Sequence, residues 1–93
     1  MAQIRWNKSS VRDLKNIFDF IAIDSRLYAF RFVSRIIESV EQLSEFPKSG
    51  RIVPEKNDPA IREVIVGNYR VFYHFNKDTV TILRIHHSAR NVK

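Results

Sequence analysis

The residues of this chain best suited to chemistry gather near one end. The stretch YRVFYHFNKDTVTILRIHHSARNVK carries Arg70, His74, Arg84, His86, His87, Arg90 and Lys93. Together with Glu63 upstream, Arg70, His87 and Arg90 hold the parts needed to cut RNA without a metal. Such cleavage needs a base for the 2′-hydroxyl, cations on the scissile phosphate and an acid for the leaving oxygen. The same residues could instead form a docking surface for an acidic partner, or be ordinary solvated charge. His74 reads as a surface strand residue.

Other chemistries find little support. The chain has no cysteine, so disulfides, thiolate nucleophiles and zinc–cysteine sites are excluded. Its only glycines are Gly50 and Gly67, too few for a phosphate-cradling loop. His86 and His87 are neighbours on a strand and point to opposite faces, and no spacing of His, Asp and Glu resembles a metal site. No cofactor or metal is expected.

Charge is unevenly placed. Residues 1–46 hold seven Lys/Arg and six Asp/Glu, whereas residues 47–93 hold nine and four. The second half therefore carries +5 of the net +6, which points to nucleic acid, a ribosome or an acidic protein as partner. Nothing approaches the length of apolar run that spans a membrane, and MAQIRWNKSS lacks a signal-peptide core, so a cytoplasmic protein with no membrane partner is expected.

Ninety-three residues with 44% apolar content support one domain over 1–93. AQIRW alternates as a first strand. Ser10 and Asp13 have the spacing of a capping box, and Val11, Leu14, Ile17, Phe18 and Ile21 follow at helical spacing, which predicts a helix over 10–23. Lys15 and Asp19 form an i,i+4 pair on its outer face. Asp24–Ser25 breaks this helix and can cap the next one. There Leu27, Phe30, Val33, Ile37, Val40 and Leu43 make one apolar stripe with Ile36 beside it. Pro47 and Gly50 end that helix, and residues 48–60 read as loop.

IREVIV, YRVFYHF and TVTILRIH read as three strands joined by tight turns at Gly67–Asn68 and NKD. The predicted fold is α+β in the order β-α-α-β-β-β, a helical hairpin on one face of a mainly antiparallel sheet. Strand alternation places Tyr69, Val71, Tyr73 and Phe75 on one face and Arg70, Phe72 and His74 on the other. In the last strand Thr81, Leu83, Ile85 and His87 form one set, and Val80, Ile82, Arg84 and His86 the other. Arg70 is a candidate for the face the helices leave open. Which last-strand set joins it depends on register.

The order and spacing of these pieces resemble the RelE/ParE superfamily of type II toxin–antitoxin toxins, closest to its ParE branch. Trp6, Asp13–Ala22 and Asp24–Ser25 are similar to the family's first strand and helix. Ala29 to Arg51 resembles its second helix and exit. IREVIVGNYRVFYHF and VTILRIHHSAR resemble its strand block and terminal H-x-x-R, from His87 to Arg90. The resemblance implies a growth-inhibiting toxin, of the kind associated with plasmid stabilisation, that is silenced in a hetero-oligomer with a cognate antitoxin. ParE-like members imply inhibition of DNA gyrase and no enzyme activity of their own. RelE-like members imply metal-independent cleavage of mRNA on the ribosome.

Carried over, Arg70 takes the position of the G-x-Y-R arginine that helps the nucleases hold phosphate. Arg90 matches their basic residue after the final strand, and His87 lies near the histidine of some nucleases. Those three are the catalytic candidates if the chain is a ribonuclease. Contact with a target or partner is expected from Arg62, Arg70, Arg84, His87, Arg90 and Lys93. No tyrosine follows the last strand where the nucleases keep a catalytic one. Lys48, Arg51 and Lys56 are scattered where one nuclease branch has a lysine pair. Both departures favour the gyrase-type expectation over cleavage, with an interaction module lacking toxicity as a third possibility.

Overall fold

A computed structural model, which describes residues 1–88, shows why the alternating and helical patterns fall in this order. β1 (Gln3–Trp6) leads into helix α1 (Lys8–Ala22) and helix α2 (Arg26–Glu41), which ends in a 3-10 turn (Gln42–Ser44). β2 (Arg51–Ile52), β3 (Ile61–Val66), β4 (Tyr69–Asn76) and β5 (Thr79–His87) complete the elements of the described residues. The five strands form one sheet in the order β1-β5-β4-β3-β2. β1 runs parallel to β5, and the other neighbours are antiparallel. The two-residue β2 corrects the reading of 48–60 as loop throughout, since Arg51 and Ile52 pair with Glu63 and Arg62. Among the described residues, no helix is long and apolar enough to cross a membrane.

The helix starts follow capping chemistry. The cap of α1 is Asn7 rather than Ser10: its side-chain oxygen accepts the Ser10 N–H at 2.8 Å. Ser10 is already inside the helix, buried, with its hydroxyl donating to the Asn7 carbonyl. Asp13 is thereby freed from capping for a different task described below. Ser25 caps α2 as expected, accepting from the Tyr28 N–H. Lys15 and Asp19 pair at 2.7 Å, both exposed, so the contact adds little stability.

The core lies between the helices and one sheet face. Ile17, Phe32, Ile36, Val40 and Leu43 pack there against Val66, Val71, Tyr73, Val80, Ile82 and Ile85. The buried stripe of α2 is Ala29, Phe32, Ile36 and Val40, continued by Leu43 in the 3-10 turn, so the expected stripe through Leu27, Phe30 and Ile37 is corrected. Leu27 and Phe30 lie outward, and Ile37 is 37% exposed. The cause is that α2 carries apolar residues around most of its first turns. Two stripes one residue apart both satisfy the helical period, and both end on Val40 and Leu43. Phe32 belongs to the winning stripe and reaches the β3–β4 turn, where its ring lies 5.6 Å from that of Tyr69.

The simple alternation of β5 fails at one point. Phe72 is opposite Arg84, but Tyr73 is opposite Ile82, so Leu83 is an extra residue in a β-bulge. The bulge lets both Ile82 and Ile85 face the helices, although straight alternation puts them on opposite sides. It also fixes the register: Arg70 is opposite His86, whereas Tyr69 is opposite His87.

Both glycines are required by contacts. Gly67 has φ +57° in the β3–β4 turn, and a Cβ there would come within 2.9 Å of the Phe32 ring. Gly50 sits against β3 and β4, where a Cβ would lie 2.6 Å from the Glu63 carbonyl and from the Tyr73 hydroxyl. That hydroxyl accepts the Gly50 N–H at 3.0 Å and donates to the Pro47 carbonyl at 2.8 Å, which ties the loop after α2 onto the sheet. Burial pushes the Tyr73 phenol above its ordinary pKa.

Neighbouring isoleucines on α2 test which face is core. Ile36 is fully buried. Ile36→Ala is expected to cost about 2–5 kcal/mol in denaturant unfolding, from lost transfer energy plus a cavity. Ile37→Ala should cost less than about half as much, because part of its side chain is already in water. Equal losses would mean that α2 is rotated from this position.

Candidate functional site

Glu63 is the centre of the polar side of this sheet. It alternates with Ile61 and Ile65 on the β3 face turned away from the helices, yet it is only 1% exposed. A carboxylate can be buried at this depth only if it is paired and hydrogen-bonded. Arg70, from β4, donates through Nε to Glu63 Oε1 at 2.5 Å. Arg51, from β2 and directly opposite Glu63, donates through Nε to Oε2. Pairing of Arg51 with this carboxylate is what gives the two-residue β2 a reason to exist.

The other edge of the Arg70 guanidinium is also engaged. Its two terminal nitrogens donate to the two carboxylate oxygens of Glu55 at 2.8 and 2.9 Å, a bidentate pair. Its flat face lies over the Phe72 ring, with 4.9 Å from Cζ to the ring centroid. His86 meets the same ring edge-on at 5.5 Å. Arg70 is thus 7% exposed, roofed by the turn that carries Glu55. The sequence placed Arg70 correctly on the face away from the helices but not its burial. The hydrogen bonds to Glu55 and Glu63 raise the Arg70 pKa further above its already high ordinary value. In return the Arg70 hydrogen bonds hold the Glu55 carboxyl down to about 2.

Among the described residues, the remaining candidates do not converge on Arg70. Arg62 ties down the loop below it, donating to the carbonyls of Pro59 at 3.2 Å and Gly50 at 3.0 Å. Arg84 donates to Asp13 on α1 at 2.8 and 3.3 Å. Asp13 Oδ2 also accepts the Ile85 N–H, at 2.9 Å, past the point where β1 stops pairing with β5. Asp13 therefore closes an open sheet edge with a charged side chain. That pairing raises the Arg84 pKa.

His87 lies on the helix side, its ring set edge-to-face on Tyr69 with centroids 5.3 Å apart, in a groove of about 280 Å³ that Phe20, Tyr28, Phe32 and Arg35 also line. The structure brings Arg70 together with His86, not with His87. Arg90 and Lys93 lie outside the described residues.

Sequence reasoning missed Glu55 and Arg51 as partners of this site. The available signal was Glu63 itself, one acid alternating with isoleucines in a strand. It also missed the exposed apolar residues of the helical hairpin, Phe20 and Ile23 around the end of α1 and Leu27 and Phe30 on α2. Lone apolar residues on a surface are ordinary, but so many large ones exposed around one interhelical turn make the hairpin a candidate contact surface.

The Glu55 pairing gives a pH dependence. Its folded pKa, about 2, lies below the ordinary 4.5, so its contribution is present above the ordinary value and is lost as pH falls towards 2. Glu55→Gln should therefore lower the melting temperature at pH 7, and the gap to the unsubstituted protein should close between pH 4.5 and 2. A gap that is constant across that range would mean the pair does not form.

Comparison with known proteins places this architecture. Residues 4–92 match the family model described as the ParE toxin of the type II toxin–antitoxin system parDE. Toxin RelE2 of Caulobacter vibrioides is 35% identical over 91 residues, covering 97% of this chain and 99% of that protein. The fold is shared with a chain of the chromosomal ParDE system from P. aeruginosa, at a TM-score of 0.77 and 22% identity over 94% of this chain and 96% of that one. It is also shared with a chain of the toxin–antitoxin complex RelBE2 from Mycobacterium tuberculosis, at a TM-score of 0.68 and 22% identity over 92% and 96%. The meander, the helical hairpin and the parallel first strand are thus those of a known toxin fold, and the chain belongs to the ParE toxin family of type II toxin–antitoxin systems.

Proposed function

We propose that this toxin stops growth by binding DNA gyrase rather than by cutting RNA. The observation that carries this reading is the state of Arg70. A nuclease of the related branch would need that guanidinium at the scissile phosphate. Here it is 7% exposed, with Nε on Glu63 and both terminal nitrogens on Glu55. A cation already neutralised by two carboxylates stabilises little of the charge that develops in phosphoryl transfer. His87 lies across the sheet from it, so the pair cannot act on one phosphate in this arrangement. Arg90 and Lys93 remain candidates for target contact under this reading.

Ribosome-dependent mRNA cleavage is the second reading. It is favoured by the name RelE2 carried by the Caulobacter vibrioides relative and by the RelBE2 complex among the similar structures. Under either reading the toxin is held silent in a hetero-oligomer with a small acidic or amphipathic antitoxin. The exposed Phe20, Ile23, Leu27 and Phe30 offer such a segment apolar contacts on the helical hairpin.

Purified toxin assayed side by side for gyrase supercoiling and for mRNA cleavage on translating ribosomes tests the target. We expect supercoiling to be inhibited and mRNA to stay intact. Adding the antitoxin encoded beside it should restore supercoiling, and Phe30→Asp should weaken that rescue. Cleavage of message with supercoiling unaffected would assign the chain to the nuclease branch.

A further inference from the structure

Glu63 and Glu55 hold the same guanidinium in different ways. Glu63 is 1% exposed, lies within a strand, and grips Arg70 at Nε. Glu55 is on the turn between β2 and β3, with its side chain 35% exposed, and holds only the two terminal nitrogens. If Glu55 moved away, Arg70 would keep its orientation, because Glu63 and the Phe72 ring fix it independently. What would remain is a guanidinium fork with two parallel donors facing outward. Without Glu55, the charges of Arg51, Arg70 and Glu63 sum to +1. That is a preorganised site for one oxyanion.

We propose that Glu55 is an intramolecular stand-in, and that the site it fills on Arg70 receives an acidic side chain from a protein partner. The ligand class follows from the shape of the site. With Glu55 in place the Arg70 side chain is 9% exposed, so the opening to its fork is the one that the Glu55 side chain now fills. A carboxylate on a short flexible stem fits such an opening, as Glu55 does. Exchange also costs little, since one bidentate carboxylate replaces another and the buried cation is never left unpaired. The turn itself stays anchored by the buried Val53, whose N–H donates to the Ile61 carbonyl, so only the half-exposed Glu55 side chain has to swing away. The proposal rests on the binding reading above only for having a protein as partner; the site itself does not depend on which target is hit.

Chemical rescue tests the site without the partner. Purified Glu55→Ala and Glu55→Gln chains are melted at neutral pH in acetate, in inorganic phosphate and in chloride at equal ionic strength. Acetate at about 100 mM should raise the melting temperature of both variants by about 3–5 °C over chloride, and should leave the unsubstituted chain unmoved. The Arg70 Nε–Hε resonance of each variant should move saturably with acetate. Rescue by phosphate but not by acetate would overturn the acidic side chain in favour of a phosphoryl ligand. No anion-specific rise in either variant would overturn the site altogether. Failure of the supercoiling assay, by contrast, would leave this outcome untouched and would bear only on the target.

Discussion

A carboxylate sealed inside a small sheet has to be answered by cations. The Glu63 side chain is that constraint in this toxin. Arg70 answers it from β4 and Arg51 from β2, so three strands are fixed in register around one buried charge. Removing Arg70 would leave the sealed Glu63 with only Arg51, whose side chain is 62% exposed, and would be far more costly than losing an exposed pair. The second edge of Arg70 then draws in Glu55, and with it the turn that roofs the sheet. Much of the non-helical side of the molecule is thus arranged around one ionised group.

This arrangement changes the meaning of the basic half of the chain. Of its nine Lys/Arg residues, Arg51, Arg62, Arg70 and Arg84 all donate within the fold, to Glu63, to loop carbonyls, to two glutamates and to Asp13. A net charge read from composition therefore overstates the cation surface offered to a partner. The helical side offers the complementary feature. There apolar residues of the hairpin remain in water while the sequence-adjacent stripe is buried. The two sides divide the work: one holds the sheet together by charge, and the other presents apolar surface.

Most of the architecture was legible in the sequence. Period-two strands, a Ser25 cap, the Gly67 turn and the helical spacing of α1 each had a local physical cause that tertiary packing left standing. Three features were not legible. The rotation of α2 was hidden because its apolar residues satisfy two stripes at once. The bulge at Leu83 was hidden because an extra residue in a strand leaves no mark on composition. The burial of Arg70 was hidden because its partners are 7 and 15 residues away, joined through a loop whose path the local pattern does not set. The site suffered more than the fold for this reason, since it is assembled by long-range ion pairs rather than by periodicity.

A double-mutant cycle on Glu63 and Arg70 tests the central role of this pair most directly. Each is replaced singly and together by an uncharged residue of similar size, and unfolding free energies are measured in denaturant. A structural buried pair gives a coupling energy of about 2–3 kcal/mol, with each single variant less stable than the double or close to it. A coupling below about 0.5 kcal/mol, in the range of an exposed pair such as Lys15–Asp19, would contradict it and return Arg70 to the surface as a group free to act on a ligand.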